Sequence, residues 1–428
     1  MHILGKGRTA RPVVKNDRST VPAHQPLPQS LRRLIGATLP DGRVVDVEME
    51  DDVVTAVVPA TPGAVAADGE LDLTGYLLLT APAEPHAHLD KALSWDEISP
   101  PMGDLGLAID SWRAHSRGMT TEGIAARATA ALRMMLQAGT TAVRTHVDLL
   151  SGPQPLRGVQ ALTGLREEVR HLIDLQIVAL AAPDTPDATV HAALDLGVDL
   201  IGGAPHLAPD PVRDLDRLLT IAQERGVGAD IHTDESLHGE PTLTHYAQTV
   251  RDWPADRVRS AGHCVRQGTQ SAADLVPVIE AVLAAGIGVI SLPITNLYLQ
   301  GWEHPASTPR GLTALRAFLD AGVPVAGGAD NLRDPFNPVG RGDALETASL
   351  LVTAGHLTLD EAYQAVCSSA RSVLGLPPAG AEPGHIADFL AVQGASLGEV
   401  IAAAPAQRRV IHRGALVARS SVVHDSAF

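Results

Sequence analysis

The chain has 428 residues, 45% of them hydrophobic, and 33 lysines and arginines stand against 49 aspartates and glutamates for a formal net charge of −16. That acidity argues against nucleic acid or an anionic membrane surface as a partner, and no apolar run reaches transmembrane length without charges. Cys264 and Cys367 are the only cysteines, which excludes a disulfide framework and a thiolate metal cluster.

Residues 1–30 are basic, polar and proline-containing, and they lack the apolar core of a secretory signal. They are read as a disordered extension on a cytoplasmic protein. Residues 34–60 hold two alternating runs around Asp41-Gly42, a hairpin signal because glycine takes positive φ at little cost. From residue 78 to 377, short apolar runs alternate with longer Ala/Leu/Arg-rich stretches. Strands are expected at 77–81, 141–146, 175–181, 199–203, 228–232, 258–263, 287–292 and 323–330. Amphipathic helices are expected between them at 122–138, 162–172, 214–224, 272–285, 312–321 and 342–354. Gly139, Gly286 and Gly322 stand where helix C-termini call for a left-handed residue. Eight strands interleaved with helices fit a (β/α)8 TIM-type barrel, and no glycine-rich dinucleotide fingerprint follows the first strand. Strand-like runs return at 388–392 and 409–419, around Arg413-Gly414. The expected organisation is a catalytic barrel over 78–377 and a small β-sandwich domain closed from both chain ends, 31–77 with 378–428.

Chemistry-bearing residues fall where these strands end, on the face that carries the active site of such barrels. His86 and His88 follow the first strand, His146 and Asp148 finish the second, and His206 follows the fourth. His232 ends the fifth with Asp234 and Glu235 just after it, His263 ends the sixth, and Asp330 ends the eighth. In a strand alternate side chains point the same way, so His86 and His88 can aim two imidazoles at one point. Three neutral imidazoles with one carboxylate make a mixed N/O site suited to Zn²⁺ or Fe²⁺ with room for a water. Such an ion lowers the water pKa to about 7. A non-ligand acid must then carry protons, and Glu235, three residues past His232, is free to do so.

Longer motifs make this specific. Glu84-Pro85-His86-Ala87-His88-Leu89-Asp90, Val143-Arg144-Thr145-His146-Val147-Asp148, Leu175-Gln176-Ile177-Val178-Ala179, His232-Thr233-Asp234-Glu235, Leu299-Gln300-Gly301, Asp334-Pro335-Phe336-Asn337-Pro338 and Pro383-Gly384-His385-Ile386-Ala387-Asp388 run across the barrel and its flank. Together they resemble the amidohydrolase superfamily and, within it, the cytosine deaminase-like branch. The resemblance implies one divalent metal ion held by His86, His88, His232 and Asp330, with Glu235 as proton shuttle and His263 holding the attacking water. Asp330 would double as a base. No lysine follows the fourth strand where binuclear relatives carry a bridging one. The implied reaction is attack of metal-bound hydroxide on a ring C=N carbon of a small heterocycle, with loss of ammonia. Members of the family often assemble, which makes a homo-oligomer one option, and the sequence does not fix the oligomeric state.

Substrate-reading positions depart from the cytosine pattern. Ala182 stands where the cytosine enzymes place a glutamine, Asn331 where they have a second aspartate, and Phe336 where they have tryptophan. Loss of a bidentate amide partner makes cytosine itself a poor expectation. His146, His206, Gln300, Asn331 and Phe336 are the candidate substrate contacts. His-Leu-Asp-Lys, ending at Lys91, also resembles relatives that remove alkylamines from triazines, although a surface salt bridge is the plainer use of Lys91. The alternatives are therefore hydrolysis of an N-alkylamino-triazine or cyclic amide bond on the same fold, and an inactive metal-binding homologue.

Overall fold

The computed structural model of the protein describes residues 27–103, 105–423 and 425. The extension expected over residues 1–30 lies, up to residue 26, outside the described residues. Gln29–Ser30 form a short strand against Ala415–Arg419. Among the described residues no helix is long and apolar enough to cross a membrane.

Eight parallel strands form the barrel: β1 (Ala83–Ala87), β2 (Ala142–Asp148), β3 (Asp174–Ala181), β4 (Leu200–Gly203), β5 (Gly228–Thr233), β6 (Arg259–His263), β7 (Gly288–Ser291) and β8 (Val325–Gly327). They pair in chain order. The ring closes between β1 and the end of β8 through a parallel bridge of Ala87 with Asp330, whose N–H donates to the His86 carbonyl at 2.9 Å. Helices end as their glycines require: Gly139 and Gly286 close Thr121–Ala138 and Ala272–Ala285 in the left-handed conformation.

The first barrel strand is not the one that periodicity points to. Tyr76–Thr80 pairs antiparallel with Phe389–Gln393 in the flanking sheet, and the barrel begins at Ala83. Leu77 and Leu79 pack into the barrel core while Leu78 faces the core of the flanking sheet. A strand buried on both faces reads as an unbroken apolar run, like a barrel strand. β1 itself, Ala-Glu-Pro-His-Ala, has little strand propensity. Pro85 offers no N–H, and pairing with β2 skips from Glu84 opposite Val143 to Ala87 opposite Thr145.

The flank is one continuous nine-stranded sheet among the described residues. Residues such as Leu34, Val47, Leu73, Leu78, Phe389 and Ile411 form its core. Its Arg413-Gly414 turn takes positive φ at both residues (48° and 71°), which matches the twist of the strands it joins. Charge fixes this sheet to the barrel. Buried Asp388 accepts from Arg371 at 2.9 Å and from the Arg413 N–H at 2.7 Å, and lies 3.0 Å from His412 Nδ1. Arg408 donates to both oxygens of Asp343 at 3.0 and 2.8 Å.

Candidate active site

Period-two alternation explains the inner wall. Glu84, His86 and His88 stand on alternate residues from β1, Arg144, His146 and Asp148 on β2, and Asp230 and His232 on β5. β6 breaks the alternation: Gly262 stands at the inward position and His263 is swung round by a φ of 67°. A Cβ at Gly262 would come to 3.0 Å from His86 Cε1, so a side chain there would press on that ring. Asp234, Cys264 and Asp330 share the left-handed backbone, with φ of 52°, 49° and 58°. Such non-glycine residues cost about 1–3 kcal/mol each and persist where surroundings hold them. Here both carboxylate oxygens of Asp234 are taken by the Thr242 and Leu243 N–H groups, the Thr242 hydroxyl and the Gln267 amide.

The strand ends bring four donor atoms together. His86 Nε2 and His88 Nε2 each lie 3.2 Å from His232 Nε2. Asp330 Oδ1 is 3.1 Å from His88 Nε2 and 3.8 Å from His86 Nε2. Ligands on a tetrahedral ion at about 2.0–2.1 Å stand about 3.3 Å apart, so this donor set fits a divalent ion. Burial holds the three imidazoles well below their usual range, hence neutral with lone pairs available. Burial, then Glu235, Asp334 and Glu84, push Asp330 well above a usual carboxyl. Neither of its oxygens has a hydrogen-bond partner among the described residues, so a cation is what that carboxylate lacks.

Behind the ligands lies a layer that sequence reading missed. Asp230 Oδ1 stands 4.0 Å from His86 Nδ1 and 3.7 Å from His146 Nε2, while Asp230 Oδ2 accepts from Arg144 at 2.7 Å. Burial opposes ionisation of Asp230, but His146 and Arg144 outweigh it and bring it to about 2. A carboxylate behind a ligand imidazole orients the ring and raises its basicity. The Arg144 guanidinium already occupies the other oxygen, which disfavours a second ion there. Glu84 clasps the closing seam, accepting from the His86 N–H at 3.1 Å and the Ala329 N–H at 2.9 Å. Alternation from His232 back to Asp230, and from His146 back to Arg144, carried the signal for this layer.

Glu235 sits beside the donor cluster without joining it. Its Oε1 is 3.6 Å from His263 Nδ1, its Oε2 is 3.5 Å from His206 Nε2, and its carbonyl accepts from Gln300 Nε2 at 2.7 Å. Burial works against its charge, but His263, His206 and Lys91 prevail and hold it at about 2. Burial also brings His263 down to about 4, so the imidazole is neutral. Asn296 Nδ2 lies 3.0 Å from His263 Nδ1 and the Thr313 hydroxyl donates to its carbonyl at 2.6 Å.

The cluster opens into a cavity of ≈ 570 Å³ whose wall includes His88, Lys91, Trp112, His232, Glu235, His263, Asp330, Asn331 and Phe336, with Ala182 beyond. Asn331 and Phe336, two of the candidate substrate contacts, line the cavity. His146 is fully buried behind His86, with ring centroids 4.0 Å apart, and does not border the cavity. His206 and Gln300 reach Glu235 and do not line the cavity either. Lys91 is not a surface residue. It is buried between Trp112 and Phe336, donates to Asp148 at 2.9 Å, and faces the cavity. Trp112, from helix Leu105–Ser116, donates to the other oxygen of Asp148.

Comparison with known proteins agrees with this geometry. Residues 88–424 match the model of the amidohydrolase family. A pterin deaminase from Rhizobium rhizogenes is 32% identical over 389 residues, 88% of either chain. A 5-methylcytosine deaminase from Klebsiella pneumoniae, solved with 5-fluorocytosine, superposes with a TM-score of 0.84 at 26% identity, covering 92% of this chain and 99% of that one. An N-isopropylammelide isopropylaminohydrolase from Burkholderia multivorans gives a TM-score of 0.75 at 28% identity, covering 90% and 98%.

Proposed function

Because this chain belongs to the amidohydrolase family and is a hydrolase of carbon–nitrogen bonds in cyclic compounds, we propose that it deaminates an aminated heterocycle of pterin size. The observation that carries the reading is the convergence of His86, His88, His232 and Asp330 on one point, with the uncoordinated Glu235 beside it, at a cavity with room for a fused ring. The 32% identity to a pterin deaminase supports a fused ring over cytosine, and so does Ala182, which offers no amide to a pyrimidine edge.

In this reading the four donors hold one divalent ion, Zn²⁺ or Fe²⁺. When bound, such an ion brings the pKa of a water to about 7 and polarises the substrate. Glu235 accepts a proton from the nucleophilic water and delivers it to the ring nitrogen of the attacked C=N bond. A second delivery to the exocyclic nitrogen lets ammonia leave, and the ring keeps a carbonyl in place of the amino group. His263, neutral and fixed by Asn296, holds the nucleophile for attack on the ring carbon. Asp330 is placed to accept a proton late in the cycle. Lys91, anchored by Asp148, faces the ring's acceptor atoms, and Asn331 and Phe336 hold its edge and face. His146, His206 and Gln300 act through their neighbours. Unpaired, buried Cys264 and Cys367 accord with the cytoplasmic location that is part of this proposal.

Metal-reconstituted protein should release ammonia from aminopteridines with the ring intact. Mass spectrometry showing free alkylamine from an N-alkylaminotriazine, or an opened ring, would favour the other amidohydrolase chemistry. His232→Ala removes a donor that lies 3.2 Å from both His86 and His88, and the purified variant should retain less than a tenth of wild-type metal by elemental analysis. Full occupancy would remove His232 from the ligand set.

A further inference from the structure

We propose that the cavity contains a second subsite, formed by Arg113 and Arg117, which receives an anionic arm on the ring, so that the preferred substrates are aminoheterocycles bearing a carboxylate or phosphate. The proposal rests on the deaminase reading of the metal end and names the substrate class that the rest of the cavity selects. A cavity of ≈ 570 Å³ lies within the range of roughly 300–1,000 Å³ that encloses drug-sized molecules. A bare one- or two-ring heterocycle against the donor cluster leaves much of that space to a substituent.

The wall beyond the ring is helix Leu105–Ser116 and the residue that follows it. Trp112 fixes this helix to Asp148. Arg113 lies in the last turn of the helix and Arg117 directly follows its end, and both line the cavity. Neither guanidinium has an ion-pair or hydrogen-bond partner among the described residues, and both are exposed. The other charges on this wall do not consume them. Asp148 is neutralised by Lys91, and Asp184 is a single carboxylate set against two guanidinia.

In a chain with 49 acidic side chains against 33 basic ones, two uncommitted cations facing one cavity mark a local reversal of sign. A guanidinium presents a planar fork of donors that matches carboxylate and phosphate oxygens in pairs. Placed in a cleft, such a pair also draws an anion inward and orients it arm-first toward the arginines, ring-first toward Glu235.

The test uses metal-loaded protein and four probes that share one ring: pterin, 6-hydroxymethylpterin, pterin-6-carboxylate and 6-hydroxymethylpterin phosphate. At low salt, kcat/KM for at least one anionic probe should exceed that for 6-hydroxymethylpterin at least tenfold, and the better of the two identifies the arm. In Arg113→Gln/Arg117→Gln the anionic-to-neutral ratio should collapse toward one, mainly through KM. Arg113→Lys/Arg117→Lys should recover part of it. A wild-type ratio near one, or a ratio that survives in the double glutamine variant, overturns the subsite. Ammonia from none of the four overturns the ring assignment and this proposal with it, whereas turnover without charge preference overturns the subsite alone.

Discussion

Glu235→Gln is expected to lower kcat by about two to four orders of magnitude, with metal content equal to the wild type. The side chain keeps its size and retains an oxygen toward His206, 3.5 Å away in the native protein. The ligand atoms on His86, His88, His232 and Asp330 are untouched, so occupancy measures the cluster while kcat measures proton transfer. The loss should fall on kcat more than on KM, because an amide cannot take a proton from the nucleophile yet fills the same space. Near-native turnover would show that the shuttle lies elsewhere, with His263 the next group to test.

Asp388→Asn is expected to destabilise the fold by about 3 kcal/mol or more without touching the site. Removing one member of a buried pair leaves the other charge uncompensated, which typically costs 3–5 kcal/mol. Here the charge left behind is the buried Arg371 guanidinium, 2.9 Å away, with His412 at 3.0 Å. Burial by itself would raise the Asp388 pKa, but the His412 contact and the Arg371 charge outweigh it and hold it below the ordinary value. A carboxyl depressed in the folded state adds stability above its unfolded pKa of about 3.9, and that stability is lost as pH falls through the lower folded value. The difference between wild type and variant, measured by thermal unfolding of metal-free protein, should therefore be full at pH 7 and shrink below about pH 4. A constant difference across that window would show that packing, not charge, sets the effect.

Much of the candidate site was legible because two independent patterns coincide there. Strand-to-helix alternation locates the strand ends, and His86, His88, His232, Glu235, His263 and Asp330 all stand on them. What escaped did so for identifiable reasons. Leu77 and Leu79 face one core and Leu78 another, so the last strand of the flanking sheet imitates a barrel strand and moves the expected start of the barrel. Asp230 and Arg144 sit inside strands, where a charged residue is read as a defect unless its partner is known. The Asp230–Arg144 contact joins residues 86 positions apart. Trp112 and Arg113 lie on a helix, with Arg117 just past its end, inserted between β1 and the helix that leads to β2, outside the regular alternation. His146 and His206 were candidate substrate contacts because position in the sequence does not tell which way a ring is turned.

Closure of the barrel at Ala87 and Asp330 has a consequence for how the protein comes into being. The donor set draws on the first strand, the fifth and the segment after the eighth, so it is split across nearly 250 residues of chain. The four-donor arrangement therefore cannot assemble step by step during synthesis. A nascent chain that has emerged only as far as His232 carries three imidazoles on strands that have not yet formed a ring, and it lacks both the carboxylate and the seam. The four donors meet only once the polypeptide past Asp330 has docked against β1, so an ion held by them as proposed would tie the two ends of the barrel together.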